Sequence, residues 1–297
     1  MTTLDCPIVL QPAQAVPTML SPERQTDAHV VELWLARYES PNTRDAYSRT
    51  AAAFMRHVGG LRSATLDRLQ DFAAALQGEA STRAAKLAAV KSLLSFAHEV
   101  GYVPFNVGRV LPLPKVKNTL AERILDEGDT LRLIELVPPG RNHVLLRLLY
   151  CTGARVSELV GLRWRDVQPR DAGRGQVTLW GKGGLTRVVV IERPKTFAML
   201  QALRGDAADD APVFRSREGG AVTARQVERI VSQAAARAGI KSAVSPHWLR
   251  HAHASHALDA GIPVQEVQST LGHASLVTTS KYAHARPGHS SGRGLKI

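Results

Sequence analysis

The segment SPHWLRHAHASHA, residues 245–257, concentrates basic side chains on a predicted helix. Pro246 favours the start of that helix, because the first turn does not need its missing N–H. His247 and Arg250 are three residues apart and therefore share one helix face. Histidine carries protons near neutral pH, and the rigid arginine fork binds two oxygens of a phosphate. The segment therefore predicts a helix that presents a proton carrier beside a phosphate ligand.

The other histidines of this segment have a simpler interpretation. We interpret His251, His253 and His256 as packed or solvent-facing helix residues. His247 and His251 are four residues apart, as in a zinc-binding helix, but Trp248 stands where such a helix carries glutamate. No cysteine or carboxylate ligand set lies nearby in the sequence. We therefore expect neither a metal nor another cofactor.

Two upstream segments supply further charged groups. In CTGARVSEL, residues 151–159, Arg155 and Glu158 are three residues apart, so the carboxylate can orient its neighbours. A plain surface acid fits Glu158 equally well. The segment LWGKGGLTRVVVI, residues 179–191, predicts two strands joined by a glycine-rich turn with Lys182 at its tip and Arg187 in the second strand. A tip lysine can also serve only to keep a strand edge soluble.

The segment LGHASLVTTSKYAHA, residues 271–285, contains His273 and then Tyr282. The hydroxyl of a tyrosine has a pKa near ~10, so its ionisation at neutral pH costs about 4 kcal/mol. A base or a strong positive field must compensate for that cost if the hydroxyl is to act as a nucleophile. The alternative is a helix tyrosine that packs on the core. The polar residues 279–281 before Tyr282 favour the nucleophile.

Taken together, the four segments resemble the tyrosine recombinases, also called the phage integrase family. The family's order of Arg, Lys, His-x-x-Arg, His and Tyr is present from end to end. The resemblance implies that DNA is cut and rejoined through a 3′-phosphotyrosyl intermediate, without ATP or metal. The catalytic residues that it implies are Arg155, Lys182, His247, Arg250, His273 and the nucleophile Tyr282, supported by Glu158. We expect the Tyr282 hydroxyl to lie outside the protein interior, and both arginines to lie on one side of the molecule.

The fold class implied by the resemblance is mainly α (α+β). It consists of a helical core-binding domain and a mixed α/β catalytic domain of the DNA breaking-rejoining type, with a small antiparallel hairpin or sheet. Helical spacing of apolar residues predicts about four helices in the first domain. We place a flexible arm at residues 1–22, the core-binding domain at 23–108, a proline-containing linker at 109–123, the catalytic domain at 124–285 and a flexible tail at 286–297.

The net charge of +12 and the pI near 10.2 favour a polyanionic partner. We predict double-stranded DNA with a specific recombination site, contacted by Arg44, Lys86, Lys91 and Arg187. No apolar run approaches the ~20 residues that span a bilayer, so we expect a cytoplasmic, nucleoid-associated protein without a membrane partner.

The resemblance also implies that four protomers act together, with copies of this chain or with a paralogous recombinase. Many family members dock a helix that follows the tyrosine into the neighbouring subunit, but the residues after Tyr282 do not read as a helix. Two other functions compete: a DNA-relaxing enzyme like the type IB topoisomerases, and a DNA-binding protein without catalysis. The second does not need Tyr282, because binding alone requires no nucleophile.

Overall fold

The computed structural model describes residues 18–117, 119–181, 184–272, 279 and 282. The chain divides into two compact units, Met1–Lys117 and Asn118–Ile297. The α-helices of the first unit are α1 Asp27–Ala36, α2 Pro41–Val58, α3 Leu66–Ala75 and α4 Ala80–Glu99. A short 3-10 helix, Val107–Arg109, follows them. These are the four helices that the apolar spacing predicts.

Local signals set the ends of the helices in the first unit. The side chains of Thr26 and Thr65 accept hydrogen bonds from the backbone N–H groups of His29 and Arg68, which begins α1 and α3. Gly59 ends α2 with a left-handed φ of 78°, a conformation that glycine adopts without steric cost. Sequence chemistry alone therefore accounts for these boundaries.

The core of the first unit is formed by the facing sides of its helices. Its largest fully buried side chains are Trp34, Phe54, Leu61, Leu69, Leu93 and Leu94. Asp27 joins distant parts of this unit, since it accepts hydrogen bonds from the Tyr102 hydroxyl at 2.7 Å and from the Leu61 N–H at 3.0 Å. Leu111, within the predicted linker, is also buried in this core. The bounds of the arm, the linker and the tail stay predictions.

The second unit combines helices with one small sheet. Its helices are α5 Glu127–Glu135, α6 Arg141–Thr152, α7 Val156–Val160, α8 Pro194–Gln201, α9 Ala224–Arg237, α10 Pro246–Asp259 and α11 Val264–Leu271. Its strands are β1 Val167–Pro169, β2 Gly175–Trp180 and β3 Thr186–Ile191. Three short 3-10 helices complete the described elements: Ala121–Arg123, Trp164–Asp166 and Asp171–Gly173.

The three strands form an antiparallel sheet in the order β1-β2-β3. Alternate residues of β2 and β3 point into the core, including Leu179 and Ile191, while Trp180 on the other face is 60% exposed. The predicted hairpin of β2 and β3 is confirmed. The sequence analysis missed β1, because three residues that end in Pro169 are too short to show alternation.

Helices α6 and α10 pack against each other at the centre of the second unit. Gly153 ends α6 with a left-handed φ of 58°, and a Cβ at this position would lie 2.6 Å from Leu271 Cδ2. Gly153 therefore lies in a tight space against Leu271 of α11 and His253 of α10, and Arg155 follows two residues later. This crossing determines where the first candidate site residue lies.

The predicted fold class, mainly α with a small antiparallel sheet, is confirmed. Among the described residues, no helix combines the length and the apolar character required to cross a bilayer.

Candidate active site

Arg155 and Glu158 are joined by two hydrogen bonds at the start of α7. Arg155 is the N-cap residue, and its backbone N–H donates to Glu158 Oε2 at 2.7 Å. Its guanidinium Nη1 donates to Glu158 Oε1 at 2.9 Å. The Glu158 side chain is only 1% exposed, so it is not a plain surface acid. The carboxylate orients Arg155 through both its backbone and its side chain.

Arg187, in β3, approaches the same carboxylate from the sheet. Its Nη1 and Nη2 donate to the two oxygens of Glu158 at 2.8 and 2.7 Å, which is bidentate pairing. Its Nε donates to the Thr270 carbonyl at 2.6 Å. Burial by itself would raise the pKa of Glu158, but the hydrogen bonds from Arg187 and Arg155 lower that pKa to about 2. Glu158 therefore stays ionised and holds two arginines.

Arg250, in α10, is 5% exposed and is held by backbone carbonyls. Its Nη1 donates to the Gly153 carbonyl at 2.5 Å and its Nη2 to the Leu271 carbonyl at 2.8 Å. Burial, together with the charges of Arg155 and Arg187, lowers the pKa of Arg250 to about 10, so it stays protonated at neutral pH.

The two guanidinium groups predicted to bind phosphate meet at the end of α11. Arg155 Nη2 donates to the Gly272 carbonyl at 3.4 Å, and Arg250 binds the carbonyl of the preceding residue, Leu271. Neighbouring carbonyls thus anchor both groups, and they lie on the same side of this unit. The arrangement brings two positive charges to neighbouring residues at the end of α11.

Tyr282 lies near Arg250 and is buried. It is 5% exposed and packs with the apolar residues Ile124, Ala254, Val267 and Leu271. The Tyr282 side chain as a whole is buried, although its hydroxyl was expected to lie outside the protein interior; the hydroxyl itself makes a part-buried contact with His251. Burial raises the pKa of Tyr282, while the positive charge of Arg250 lowers it to a smaller extent.

His251 contacts the tyrosine hydroxyl directly. Its Nδ1 lies 2.8 Å from Tyr282 Oη, a hydrogen-bond distance, and the ring centroids are 5.5 Å apart. The His247 ring lies 6.4 Å from the His251 ring between centroids. Burial and the charges of Arg250 and Arg155 lower the pKa of His247. One face of α10 therefore carries His247, Arg250 and His251.

His251 is half-buried and packs against Tyr282. From its spacing of four from His247, the sequence predicts only a packed or solvent-facing helix residue. That spacing was the available signal, because residues three and four apart share a face. What the sequence could not supply was Tyr282 as the neighbour on that face, 31 residues further along the chain.

Two predicted catalytic residues, Lys182 and His273, lie outside the described residues. Within the part of the chain that the structure describes, no three His, Cys, Asp or Glu side chains cluster closely enough to hold a metal ion.

The predicted DNA contacts differ in how far their side chains are already engaged. Arg44 is exposed, and its Nε donates to the Tyr38 carbonyl. Lys86 is half-buried. Lys91 donates to the carbonyl of Leu111 within the first unit. Arg187 is committed to Glu158, so the structure gives it an internal partner where the sequence analysis expected DNA.

Known proteins resemble this chain in sequence profile, in overall sequence and in fold. The profile of the phage integrase family matches residues 122–289, more than half of the chain. The profile of the phage integrase N-terminal SAM-like domain matches residues 27–101. The chain belongs to the phage integrase family. The resemblance in the four sequence segments is thereby confirmed.

Relatives within the phage integrase family cover most of the chain. Tyrosine recombinase XerC of Xanthomonas campestris pv. campestris (strain B100) is 35% identical over 271 residues, which are 86% of this chain and 82% of the relative. Tyrosine recombinase XerC of Xylella fastidiosa (strain 9a5c) is 34% identical over 275 residues, 88% and 92% of the two chains. This member of the phage integrase family is a tyrosine recombinase, an enzyme that cleaves and rejoins DNA.

Solved structures of the family share the fold. The XerH site-specific recombinase in a pre-cleavage complex with difH substrate has a TM-score of 0.69 at 19% identity, covering 90% of this chain and 82% of that one. A lambda integrase tetramer bound to a Holliday junction has a TM-score of 0.73 at 17% identity, covering 91% and 78%. At these identities the likeness concerns the fold alone.

Proposed function

We propose that this tyrosine recombinase acts site-specifically on duplex DNA, with Arg155 and Arg250 binding the scissile phosphate and Tyr282 attacking it. The observation that carries the proposal is the anchoring of both guanidinium groups to the neighbouring carbonyls of Leu271 and Gly272. Charge gathers on the non-bridging oxygens of the phosphate as it is transferred, and two preorganised arginines stabilise that charge. They supply the positive field that a divalent ion supplies in other phosphoryl-transfer enzymes.

The proposed reaction exchanges one phosphate ester for another. Tyr282 Oη bonds to phosphorus, the bond from phosphorus to the 5′ oxygen breaks, and a 3′-phosphotyrosyl intermediate forms. Lys182 protonates the departing 5′ oxygen, with His247 and His273 assisting proton movement around the phosphate. A 5′ hydroxyl from a partner strand then reverses the step. The intermediate conserves the ester bond, so the cycle requires no ATP.

Glu158 supports this site without contacting DNA. It fixes Arg155 at the start of α7 and Arg187 on β3, so that both cations keep their position before a phosphate arrives. Catalysis benefits from such preorganisation because no reorientation has to occur during the reaction.

We further propose that the chain works as a tetramer on DNA, with copies of itself or with a paralogous recombinase, close to the nucleoid. The support is the fold shared with recombinases solved on DNA, one of them a lambda integrase tetramer on a Holliday junction. Residues 23–108 would bind the core site and residues 124–285 would carry the chemistry, with 109–123 as the linker. This assignment agrees with the division at Lys117 and with the matched ranges 27–101 and 122–289.

The test uses a suicide substrate. A duplex selected from a random library by the purified chain is nicked near the cleavage position, so that the short cleaved fragment diffuses away and the covalent complex accumulates. We expect an adduct with wild type and none with Tyr282→Phe, while DNA binding persists and weakens steeply with salt. An adduct that survives Tyr282→Phe would overturn the assignment. Strand exchange between two selected sites separates recombination from simple relaxation of supercoiled DNA.

A further inference from the structure

A histidine without an assigned role contacts the proposed nucleophile. His251 Nδ1 and Tyr282 Oη are 2.8 Å apart, which is within the range needed for direct proton transfer. The His247 ring lies 6.4 Å from the His251 ring between centroids, and burial with the charges of Arg250 and Arg155 lowers the pKa of His247. His251 is therefore placed to exchange a proton with Tyr282 Oη directly.

We propose that His251 is the general base that accepts the proton of the Tyr282 hydroxyl during attack and returns it during rejoining. This inference rests on the proposed function. As Oη bonds to phosphorus, its proton moves to Nδ1 of His251, and the departing 5′ oxygen takes a different proton from the acid on its own side. In the reverse step His251 gives the proton back to Oη as the bond from tyrosine to phosphorus breaks. Both steps balance in protons and charge.

The surroundings of His251 keep its ring neutral before DNA binds. Among the described residues, the charged and titratable groups that act on it are His247 and Arg250 on its own helix, Arg123 from the 3-10 helix Ala121–Arg123, and Tyr282. Burial and the first three groups lower the pKa of His251 to about 4. A neutral ring with its proton on Nε2 leaves the Nδ1 lone pair directed at the tyrosine hydroxyl.

Binding of a phosphate to Arg250 makes His251 a stronger base. A phosphate bound to Arg250 offsets one of the positive charges that disfavour protonation of His251, so the base becomes stronger only when substrate is present. Tyr282 needs such an acceptor, because burial raises its pKa and makes the free phenolate rarer than in water. The site therefore couples activation of the nucleophile to occupancy of the arginine clamp.

The same helix carries a matched control. His256 is also half-buried on α10, and its Nδ1 also lies 2.8 Å from a tyrosine hydroxyl, that of Tyr150. Its Nε2 lies 3.0 Å from the Leu125 carbonyl, so both ring nitrogens of His256 have partners other than Tyr282 and the arginines. Replacement of either histidine by asparagine keeps a polar group near the position of Nδ1 but removes the ability to take a proton.

The experiment isolates the attack step. The selected duplex is made with a 5′-bridging phosphorothiolate at the cleavage position, since a sulfur leaving group does not need a proton. Formation of the covalent adduct is followed in single turnovers from pH 5.5 to 9 for wild type, His251→Asn and His256→Asn. His251→Gln serves as a second variant, and melting curves and DNA affinity are recorded for each protein.

We expect wild type and His256→Asn to reach a rate plateau with rising pH. The His251 variants should be slower at neutral pH by about a hundred- to ten-thousand-fold, and their rates should keep rising with pH because solvent must take the proton. Rates within about threefold of wild type in a folded His251 variant, with the plateau retained, would overturn the inference. A wild-type chain without any adduct would instead refute the proposed function, so the two failures are distinguishable.

Discussion

Replacement of Glu158 by glutamine tests whether one buried carboxylate holds the arginine cluster together. Glu158 accepts four hydrogen bonds, two from Arg155 and two from Arg187. A glutamine can accept on its carbonyl side only, and its NH₂ group then faces two donors. The removal of one partner from a buried ion pair costs about 3–5 kcal/mol. Because Arg155 is 37% exposed and partly screened by water, we expect the lower end, about 3 kcal/mol.

This free energy translates into a measurable melting shift. For a unit of this size, 1 kcal/mol moves the midpoint by roughly 2–4 °C, so Glu158→Gln should lower the melting temperature of the second unit by about 6–12 °C. Differential scanning calorimetry of the full chain gives the shift. The control is Glu192→Gln, which makes the same chemical change at an exposed carboxylate paired with Arg174. Equal shifts for the two variants, or a shift below about 2 °C for Glu158→Gln, would refute the reasoning.

The pH dependence of stability provides a second test of Glu158. The pKa of Glu158 is lowered to about 2 in the folded chain, compared with about 4.3 for an unperturbed glutamate. A carboxyl group whose pKa is lower in the folded chain than in the unfolded chain stabilises the fold. That stability is fully present above the pKa of the unfolded chain and is lost as pH falls toward the pKa of the folded chain. The difference in urea midpoint between wild type and Glu158→Gln should therefore be constant from pH 7 to 5 and shrink between about pH 4 and 2. A difference that does not depend on pH would exclude the ionised carboxylate as its source.

Three further predictions address other positions. Gly153→Ala should lower the melting temperature more than Gly205→Ala. Both glycines have a left-handed φ, but only at Gly153 would the new Cβ lie 2.6 Å from Leu271. Equal shifts of the melting temperature would show that the close contact relaxes freely. Cys151 should resist iodoacetamide at pH 8 until urea is added, because burial raises the pKa of its thiol to about 12; peptide mapping that finds rapid native labelling would contradict this. Arg250→Lys keeps the charge but loses the two carbonyl anchors, so suicide-substrate cleavage should fall about 100-fold or more while DNA affinity changes little; a parallel loss of affinity and cleavage would indicate a binding role only.

Helix periodicity and capping chemistry were sufficient to predict most elements. Thr65 caps α3 and Gly153 ends α6 as their residue types suggest, because these signals act within one turn of chain. The spacing of Arg155 and Glu158 allowed their contact for the same local reason, but it fitted a surface acid equally well, and the structure decided between the two. Strand β1 was missed because it exists through its pairing with β2 and not through its own pattern.

The contacts that build the site escape sequence reasoning because they join distant segments. Glu158 meets Arg187 across 29 residues, and Arg250 meets Leu271 across 21. Nothing in the local pattern of either segment specifies its partner, since side-chain contacts between elements depend on how the helices and the sheet pack. The burial of Tyr282 belongs to the same class, because the residues that cover it come from three different parts of the chain.

The order of residue types along this chain established its family, its helices and the groups available for phosphoryl transfer. Each of these depends on residue types at short separations in the sequence. Packing of α10 against α6 and α11 decided which of those groups touch: two arginines at neighbouring carbonyls, and His251 at the tyrosine hydroxyl. Hydrogen bonds require partners within about 3 Å, and only the folded chain brings residues so far apart in sequence to that distance.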